Sequence, residues 1–445
     1  MTGTSHDPAT GEHPVIAPDV DARAAAYTPP SAPPARERSG SGKLVALMIT
    51  AFIDMVGLLM VIPLLPFYAE SLGNNGLTLG SGSFAYHVGI GQIVALLVSA
   101  FTVAQLLSAP MWGRFSDRFG RRPALIIALS ASAVAYVIFG FATSLWVLFL
   151  SRVVQGAGGG TVGVIQAYVA DVARPEDRAK SLGWLSAATN AGVALGPVLG
   201  SWSTQGLGKS APGLVAAVLC VVNIAFVWFF LRESRDAAHA HARKPRRSRE
   251  AVVRVLTHSS EPASRLIWIY AVAIGAFQGV TSILALFLAQ RFGVTEATIG
   301  YFFMYIGVIS VLTRAAILGK LVDRYGEARL SRAGLVLMAV GLGALPFTTS
   351  YWQLAIAVAA MPLGTAFTFP CVTALLSRVI PNEERGLYMG VQQTFGGASR
   401  AIYPILAGFL FDHLGAGFPF WLSAVLVLLT LPLGMDMESY TKARS

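Results

Sequence analysis

Twelve apolar segments separated by short polar stretches dominate the hydrophobic pattern of this chain. A membrane-spanning helix needs about 20 mostly apolar residues, and each segment has about this length. The pattern therefore predicts twelve transmembrane helices, which we number as spans 1–12. They are expected near residues 44–70, 88–112, 123–142, 145–171, 181–204, 212–231, 264–290, 297–318, 330–348, 351–379, 386–411 and 416–434.

The composition supports a membrane protein. Hydrophobic residues make up 54% of the 445 residues and charged residues only 13%, whereas soluble domains carry about 25% charged residues. The net charge of +10 lies in short loops, where it orients the chain against lipid, so we expect no nucleic-acid partner. Cys220 and Cys371 lie far apart in apolar segments, so we expect no disulfide, no metal site and no cofactor.

The longest polar interruption divides the spans into two sets of six. It covers residues 232–263 and includes the basic run Arg243–Arg247. We therefore expect a basic cytoplasmic linker with some interfacial helix at 232–263, between one bundle at 44–231 and a second at 264–435. Residues 1–43 are rich in Pro, Ala and Ser without a signal-peptide core, so they are expected to form a disordered cytoplasmic tail. A second cytoplasmic tail is expected at 436–445.

Positive charge predicts the orientation of the bundle. If the N-terminus is cytoplasmic, all but five of the 33 Lys and Arg fall on the cytoplasmic side. Lys209 and Arg291 are expected near the outer face, and Arg152, Arg314 and Arg400 lie inside predicted spans. Because cytoplasmic loops are enriched in Lys and Arg, both termini are expected in the cytoplasm of a cell whose inner membrane holds the protein.

A dense charged motif separates spans 2 and 3, and a weaker copy follows span 8. The first copy is expected to form a tight turn, in which Asp117 pairs with Arg121 or accepts hydrogen bonds at a helix start. We interpret the motif as a cytoplasmic latch that closes while the site faces outward, the alternative being a rigid structural turn. Two copies half a chain apart predict a duplicated bundle. The motif residues are Gly113, Asp117, Arg118, Gly120, Arg121 and Arg122, with Asp323 and Arg324 in the copy.

Asp54 is the acid predicted to lie deepest in the membrane. It lies about ten residues into span 1, close to the middle of the hydrocarbon at about 1.5 Å per residue. Intramembrane acids are costly and mark functional sites. We hypothesise that Asp54 carries a proton or binds a cationic substrate group; a fixed structural ion pair is the alternative.

Three arginines lie within spans. Arg152 in span 4 is the expected partner of Asp54, unless its side chain extends to the outer interface instead. Arg400 in the middle of span 11 is expected to face an aqueous cavity, an acid or an anionic substrate group. Arg314 is interpreted as a contact to lipid headgroups or to a gate. Asp54, Arg152 and Arg400 form the predicted proton-coupling set.

Small residues in span 5 predict close packing and a bend. Gly192, Gly196 and Gly200 let a neighbouring backbone approach, and Pro197 removes one helical hydrogen bond. We expect this helix to form a gate between the halves; ordinary packing is the alternative.

A substrate cavity is expected between the halves, mostly apolar with a few polar groups. Each of its candidate residues also has a plain packing interpretation. The candidates are Gln105, Gln166, Asn190, Phe277, Gln278, Tyr305, Phe367, Gln393 and Tyr403.

These motifs resemble those of the major facilitator superfamily, in particular its twelve-helix drug–proton antiporter branch, which includes the tetracycline exporters. The resemblance covers residues 44–435. The Gly113–Arg122 motif, Arg152 with Gln155 and Gly156, and the span 5 glycines with Pro197 match that branch. Asp54, Gly57, Pro63 and Pro66 reproduce the span 1 spacing of tetracycline exporters. The resemblance implies an all-α fold of two pseudo-symmetric six-helix bundles, and export coupled to inward proton flow. Glu327 and Ala328 depart from the motif in its second copy.

The favoured hypothesis is therefore a monomeric antiporter that exports small amphipathic or drug-like compounds by alternating access and uses the proton gradient. Three alternatives stay open: an uptake symporter for a nutrient or organic anion, a lipid or lysolipid flippase, and a sensor that does not transport. An enzyme is not expected, since no nucleophile, base and orienting acid occur together and no phosphate-binding loop follows a strand.

Overall fold

The computed structural model describes residues 40–73, 76–79, 86–173, 177–231, 233, 245–381, 383–435 and 437–438. Most of the predicted N-terminal tail, part of the linker and the end of the C-terminal tail lie outside these residues. Ten described helices are long and apolar enough to cross a membrane. They are span 1 (Gly42–Gly73), span 2 (Ile90–Phe119), span 3 (Arg121–Gly140), span 4 (Leu145–Val172), span 5 (Lys180–Leu207), span 6 (Ala211–Phe230), span 7 (Pro262–Phe292), span 8 (Ile299–Tyr325), span 9 (Glu327–Phe347) and span 10 (Tyr351–Val379).

Two further helices complete the predicted set of twelve. Span 11 covers Arg385–His413 and is long enough to cross a membrane, but it carries Gln392, Gln393 and Arg400. Span 12 is the shorter apolar segment Phe418–Gly434, made of the helix Phe418–Leu428 and a 3₁₀ turn at Pro432–Gly434. The predicted fold class, twelve helices in two bundles of six, is thereby confirmed. We call spans 1–6 the N half and spans 7–12 the C half.

Two small elements join the spans. A hairpin of β1 (Leu77–Leu79) and β2 (Tyr86–Val88), which we did not predict, connects spans 1 and 2. A linker helix covers Pro245–Thr257 and buries Ala251 and Val255, and its Arg254 pairs with Glu261 at 3.0 Å. Both elements lie where the chain passes from one span to the next.

Spans 1, 4 and 8 are interrupted, the first two by prolines and by glycines. Span 1 runs as Gly40–Val61, a 3₁₀ turn at Ile62–Leu64 and then Leu65–Gly73, because Pro63 and Pro66 cannot donate to the helix. Span 4 consists of Leu145–Ala157 and Thr161–Val172, separated by three glycines. Span 8 contains a π-helical turn at Thr313–Ile317, followed by the helix Leu318–Tyr325.

The charged motif after span 2 is not an extended turn. Span 2 remains helical through Phe119, span 3 begins at Arg121, and Gly120 alone makes the turn with φ +104°. Only glycine adopts this φ readily, which explains why a single residue reverses the chain. Gly113 lies inside the helix, with open space where a side chain would be, so it is not part of the turn. The copy behaves alike, with Gly326 at φ +77°.

Large apolar side chains cover much of the outer surface of the bundle. In span 6, Val218, Trp228 and Phe229 are 60%, 59% and 78% exposed. Such a surface would be costly in water, and it matches a helix that contacts lipid.

Two pairs of spans make the most extensive contacts between the halves, span 2 with span 11 and span 5 with span 8. At both pairs the backbones touch, because a Cβ added at Gly408 would lie 2.3 Å from the Gly91 carbonyl oxygen and one at Gly300 2.4 Å from that of Pro197. Gly307 makes the same kind of approach to Ala194. We call the ends of the spans that carry Gly120 and Gly326 the motif side, and the other ends the opposite side.

The span 5 glycines pack inside the N half rather than between the halves. Added Cβ atoms at Gly192, Gly196 and Gly200 would lie 2.6, 2.7 and 2.2 Å from span 1 carbonyl oxygens. These glycines thus face span 1, and the gate expected at span 5 stays a prediction. The other face of span 5, with Ala194 and Pro197, meets span 8. Helical periodicity explains the difference, since residues four apart share one face and that face belongs to span 1.

Substituting Gly196→Ala is expected to destabilise the protein by about 1–3 kcal/mol, because the new methyl group would collide with the span 1 backbone. The measurement is the thermal unfolding temperature of the purified, detergent-solubilised chain. Gly183→Ala in the same span is the matched control, since nothing lies within 4 Å of its added Cβ. A fall of the same size in both variants would contradict the role of close approach.

Candidate functional site

Asp54 binds a hydroxyl at the break in span 4. Its carboxyl oxygen Oδ2 accepts a hydrogen bond of 2.6 Å from Thr161 Oγ1, and both residues are buried, at 8% and 4% exposure. Thr161 begins the second helix of span 4, directly after Gly158–Gly160. A helix N-terminus carries partial positive charge, which favours a nearby carboxylate. The interruption of span 4 thus positions a donor and a favourable dipole beside the acid.

The Tyr136 side chain lies close to both Asp54 and Arg152. Its side chain from span 3 is 2% exposed and interacts electrostatically with both charged residues, and its hydroxyl bonds to the side chain of Gln155. The ring lies beside Gly57, where an added Cβ would be 3.6 Å from the hydroxyl. We call Asp54, Tyr136, Arg152, Gln155 and Thr161 the buried polar cluster. Its members come from spans 1, 3 and 4 of the N half.

The expected direct pair between Asp54 and Arg152 is not present in the described part of the chain. Arg152 is 1% exposed, and its guanidinium lies 5.3 Å from the centre of the Phe139 ring. Its Nε and Nη2 atoms have no hydrogen-bond partner there. Neither the ion pair nor the extension to the interface therefore occurs. Unpaired donors of a buried charge are costly to retain, which marks this residue as a candidate for function.

Arg400 and Arg314 also lack a carboxylate partner among the described residues. Arg400 is half-buried and donates from Nη2 to the Tyr270 hydroxyl of span 7 at 3.3 Å. Arg314 lies in the π-helical turn of span 8 and donates to Ser310 and, across the halves, to Asn190 Oδ1 at 3.3 Å. Arg314 thus contacts the other half rather than a span end. Its π turn adds one residue to the helical circuit and turns the side chain toward span 5.

The N-half motif forms a polar network within one half. Arg121 pairs with Asp117 and with Asp171 of span 4, each at 2.9 Å, so the alternative in which Asp117 pairs with Arg121 is observed. Glu233 accepts hydrogen bonds from the amides of Arg121 and Arg122, at 2.9 and 3.1 Å, and so caps span 3. These contacts join spans 2, 3, 4 and the end of span 6. Arg118 is exposed and stacks on Phe119.

The second copy keeps the same contact with the charges exchanged. Glu327 follows Gly326 as Arg121 follows Gly120, and it pairs with Arg378 near the end of span 10, just as Arg121 pairs with Asp171 near the end of span 4. Glu327 departs from the motif because it is acidic, and its basic partner Arg378 on span 10 compensates for this departure. Asp323 and Arg324 of the copy are exposed.

Glu438 contributes a further contact at the start of span 9. It pairs with Arg329 and Arg332, and hydrogen bonds from these two arginines hold its pKa below the ordinary value. Glu438 follows span 12, and Glu233 follows span 6. In each half, therefore, an acid that follows the last span binds residues next to the charged motif.

Four of the nine expected cavity residues make defined contacts, and the cavity itself stays a prediction. Three serve contacts within their own half: Gln105 donates to the Gly159 carbonyl at 3.2 Å, Tyr305 to that of Ala355 at 3.2 Å, and the Tyr403 ring packs on Gly275. Asn190 meets Arg314 at the inter-half contact. The remaining five are half-buried or exposed, namely Gln166, Phe277, Gln278, Phe367 and Gln393.

A carboxylate ties the halves together on the opposite side. Asp412 of span 11 accepts hydrogen bonds from the amides of Gly91 and Gln92, at 2.9 and 2.7 Å, and so caps span 2 of the other half. A Cβ at Gly89 or Gly91 would lie 2.3 or 2.7 Å from this carboxyl group, so both glycines permit its approach. Ser99 adds a bond of 2.7 Å to the Ala401 carbonyl.

The sequence predicted several members of this site but not their partners. The run Gly158–Gly160 signals the break of span 4, and Thr161 follows it directly. No local signal points to Tyr136 or Tyr270, because a single tyrosine in an apolar span is ordinary. Asp412 is visible as an acid at a helix end, but its partner lies more than 300 residues away in the chain.

Comparison with known proteins gives one consistent result. The family model of the Major Facilitator Superfamily matches residues 47–327 and 266–442. The chain is 25% identical over 382 residues to the tetracycline resistance protein, class B, of Escherichia coli, covering 86% of this chain and 90% of that protein. It is 26% identical over 396 residues to multidrug resistance protein 2 of Bacillus subtilis, covering 88% and 94%. The solved structure of a bacterial homologue of the human lysosomal transporter Spinster matches with a TM-score of 0.68 at 15% identity, covering 92% and 99%.

The exchanged ion pair predicts an energetic coupling between spans 9 and 10. Glu327→Arg alone and Arg378→Glu alone should each lower the unfolding temperature, because each places like charges together near a buried position. The double variant should recover about 0.5–3 kcal/mol of the summed loss. Combining Glu327→Arg with Arg324→Glu is the control, since Arg324 is exposed and stacks on Tyr325 instead. Equal recovery in both double variants would contradict the pairing.

Removing the Asp412 carboxylate is expected to loosen the opposite side. A charge-assisted hydrogen bond contributes about 1.5–3 kcal/mol, so Asp412→Ala should lengthen or broaden the distances between spin labels at Leu96 and Leu414. These positions are 42% and 52% exposed on spans 2 and 11. Glu70 and Asp412 both line a cavity of about 330 Å³, and Glu70→Gln, which removes the other acid of this cavity, should leave the distances unchanged. Identical distributions in Asp412→Ala and the parent protein would show that the cap does not hold the halves together.

Proposed function

Because this chain belongs to the major facilitator superfamily, a family of multi-pass membrane transporters of small molecules, we propose that it exports small amphipathic or drug-like compounds in exchange for protons. The relatives it matches are named as tetracycline and multidrug resistance proteins. The observation that carries the proposal is the buried carboxyl of Asp54, bound to Thr161 at the break of span 4. A protonatable group at this depth is the part that proton coupling requires.

The proposed proton carrier is Asp54, and the rest of the buried polar cluster positions it. Thr161 donates to the ionised carboxylate and orients it. Arg152 contributes a buried positive charge to the cluster and makes no ion pair with Asp54 in the described part of the chain. Its two unpartnered donors leave capacity for a different arrangement of the cluster in another state of the transport cycle. Arg400 belongs to the C half, so we propose that it enters the coupling through the substrate and not through Asp54.

We propose that the protein lies in the inner membrane with its motif side facing the cytoplasm, and that it transports by alternating access. The inter-half hydrogen bonds of Asp412, Ser99 and Ser201 hold the opposite side together. The motif network around Arg121 closes within the N half. This arrangement fits a state open toward the cytoplasm, since among the described residues the ion pairs of Arg121 stay within the N half. We propose that a single chain is the transporting unit.

Asp54→Asn is expected to abolish proton-driven export, because asparagine keeps the size of the side chain but neither takes up nor releases a proton. The measurement is efflux of a panel of drug-like compounds from cells or vesicles, with at least about a hundredfold loss of gradient-driven rate, the lower end of what proton-transfer groups contribute. Glu70→Gln is the matched control, since it removes an exposed acid from the end of the same span. Equal accumulation in the parent protein and in Asp54→Asn would remove the proton-carrier assignment.

The sign of the proton movement tests the direction. In vesicles loaded with substrate, an antiporter takes protons up from the medium as substrate leaves, whereas a symporter releases protons with the substrate. Proton movement in the same direction as the substrate would favour the symporter.

The Thr161 hydroxyl allows a graded test of the same site. Thr161→Val should lower the efflux rate less than Asp54→Asn does, and Thr161→Ser, which keeps the hydroxyl, should have the efflux rate of the parent protein.

A further inference from the structure

The arginines of the spans divide into those with a carboxylate partner and those without one. Arg121 and Arg378 pair with acids at the motif side. Arg152, Arg314 and Arg400 have no ion pair among the described residues. A cation inside a membrane protein is retained at a cost and normally has a partner, so each of these three calls for an explanation.

For two of these three arginines, contacts within the protein provide the explanation. Arg152 is 1% exposed and stacks on Phe139, so no substrate reaches it in this state. Arg314 is shared between Ser310 and Asn190 and joins spans 8 and 5. Arg400 differs from both, because it is half-buried and makes its hydrogen bond at 3.3 Å to a neutral phenol. Its charge is therefore not neutralised, and its guanidinium has five donors of which this contact uses one.

The partner of Arg400, Tyr270, packs against a further aromatic ring. Tyr270 of span 7 lies against Phe369 of span 10, with ring centroids 5.4 Å apart. Two residues before Tyr270, Trp268 packs against Phe395 of span 11 at 5.3 Å. Gly396 of span 11 allows the Tyr270 ring to approach, since an added Cβ would lie 2.7 Å from it. An unneutralised cation beside aromatic faces matches a ligand that carries an acidic group on an apolar body.

We infer that Arg400 and Tyr270 form a subsite for the anionic group of the substrate, so that this transporter prefers amphipathic organic acids over their neutral and cationic analogues. The inference rests on the proposed transport of small amphipathic compounds and specifies their class. A carboxylate or sulfonate accepts two donors of the Arg400 guanidinium in a fork, and the Tyr270 hydroxyl, released from the guanidinium, donates to the same group. The apolar body of the ligand then packs on Phe369.

The charge of the ligand also decides how the membrane potential drives the exchange. Export of an anion against entry of one proton moves two charges in the same electrical direction, whereas export of a cation against one proton moves none. The membrane potential acts on each charge that crosses. An anionic substrate therefore makes one-for-one exchange strongly dependent on the potential.

The test is equilibrium binding to the purified full chain in lipid nanodiscs, with three probes that share one fluorophore: dansylglycine (anionic), dansylglycinamide (neutral) and dansylcadaverine (cationic). The parent protein should bind dansylglycine about 10–100-fold more tightly than dansylglycinamide, the range expected for a charge-assisted hydrogen bond, and dansylcadaverine most weakly. Arg400→Gln should remove the preference for the acid and leave the affinity for the amide unchanged. Arg400→Lys should keep part of the preference.

Two further variants separate the local contact from overall charge and from folding. Lys320→Gln removes one exposed positive charge on the motif side and should retain the preference. Tyr270→Phe frees the guanidinium and should retain at least part of it. Unchanged amide affinity in Arg400→Gln shows that this variant is folded. Equal affinity of the parent protein for acid and amide, no binding of dansylglycine, or a preference that survives in Arg400→Gln would each overturn the inference. The binding assay needs no transport, so it is independent of the efflux result for Asp54→Asn.

Discussion

A polar group inside the hydrocarbon must find its partner within the protein, because lipid supplies none. This constraint accounts for most of the contacts that define the structure. Asp54 obtains a hydroxyl and a helix start from the broken span 4. Arg121 obtains two carboxylates at the motif side. Where partners are missing, as at Arg152 and Arg400, the protein retains an uncompensated charge, and these positions are where function is to be sought.

Close approach of backbones is the second requirement, and glycine meets it in two different ways. Within the N half, Gly192, Gly196 and Gly200 let the backbone of span 5 lie directly against that of span 1. Between the halves, Gly300 and Gly408 let carbonyl groups touch without side chains between them. Packing in lipid relies on such contacts, since apolar side chains gain little by leaving a solvent as apolar as themselves.

The duplication preserves contacts rather than residues. Arg121 with Asp171 in one half and Glu327 with Arg378 in the other hold the same two span ends, with donor and acceptor exchanged. A motif read residue by residue scores the second copy as a departure, although the physical contact is intact. An ion pair depends on complementary charge and geometry, and the exchange of both partners retains them.

The sequence alone determined the class of the protein: the number of spans, their approximate ends and the depth of Asp54 all follow from where apolar residues run and where charges interrupt them. Twenty apolar residues have few alternatives to a helix in a bilayer. The tertiary structure decided which residues contact one another. In the fold, Asp54 accepts a hydrogen bond from Thr161 instead of pairing with Arg152. The span 5 glycines face span 1, and Asp412 caps span 2. These outcomes depend on helix rotation and on contacts between residues far apart in the chain, which hydrophobic periodicity does not encode.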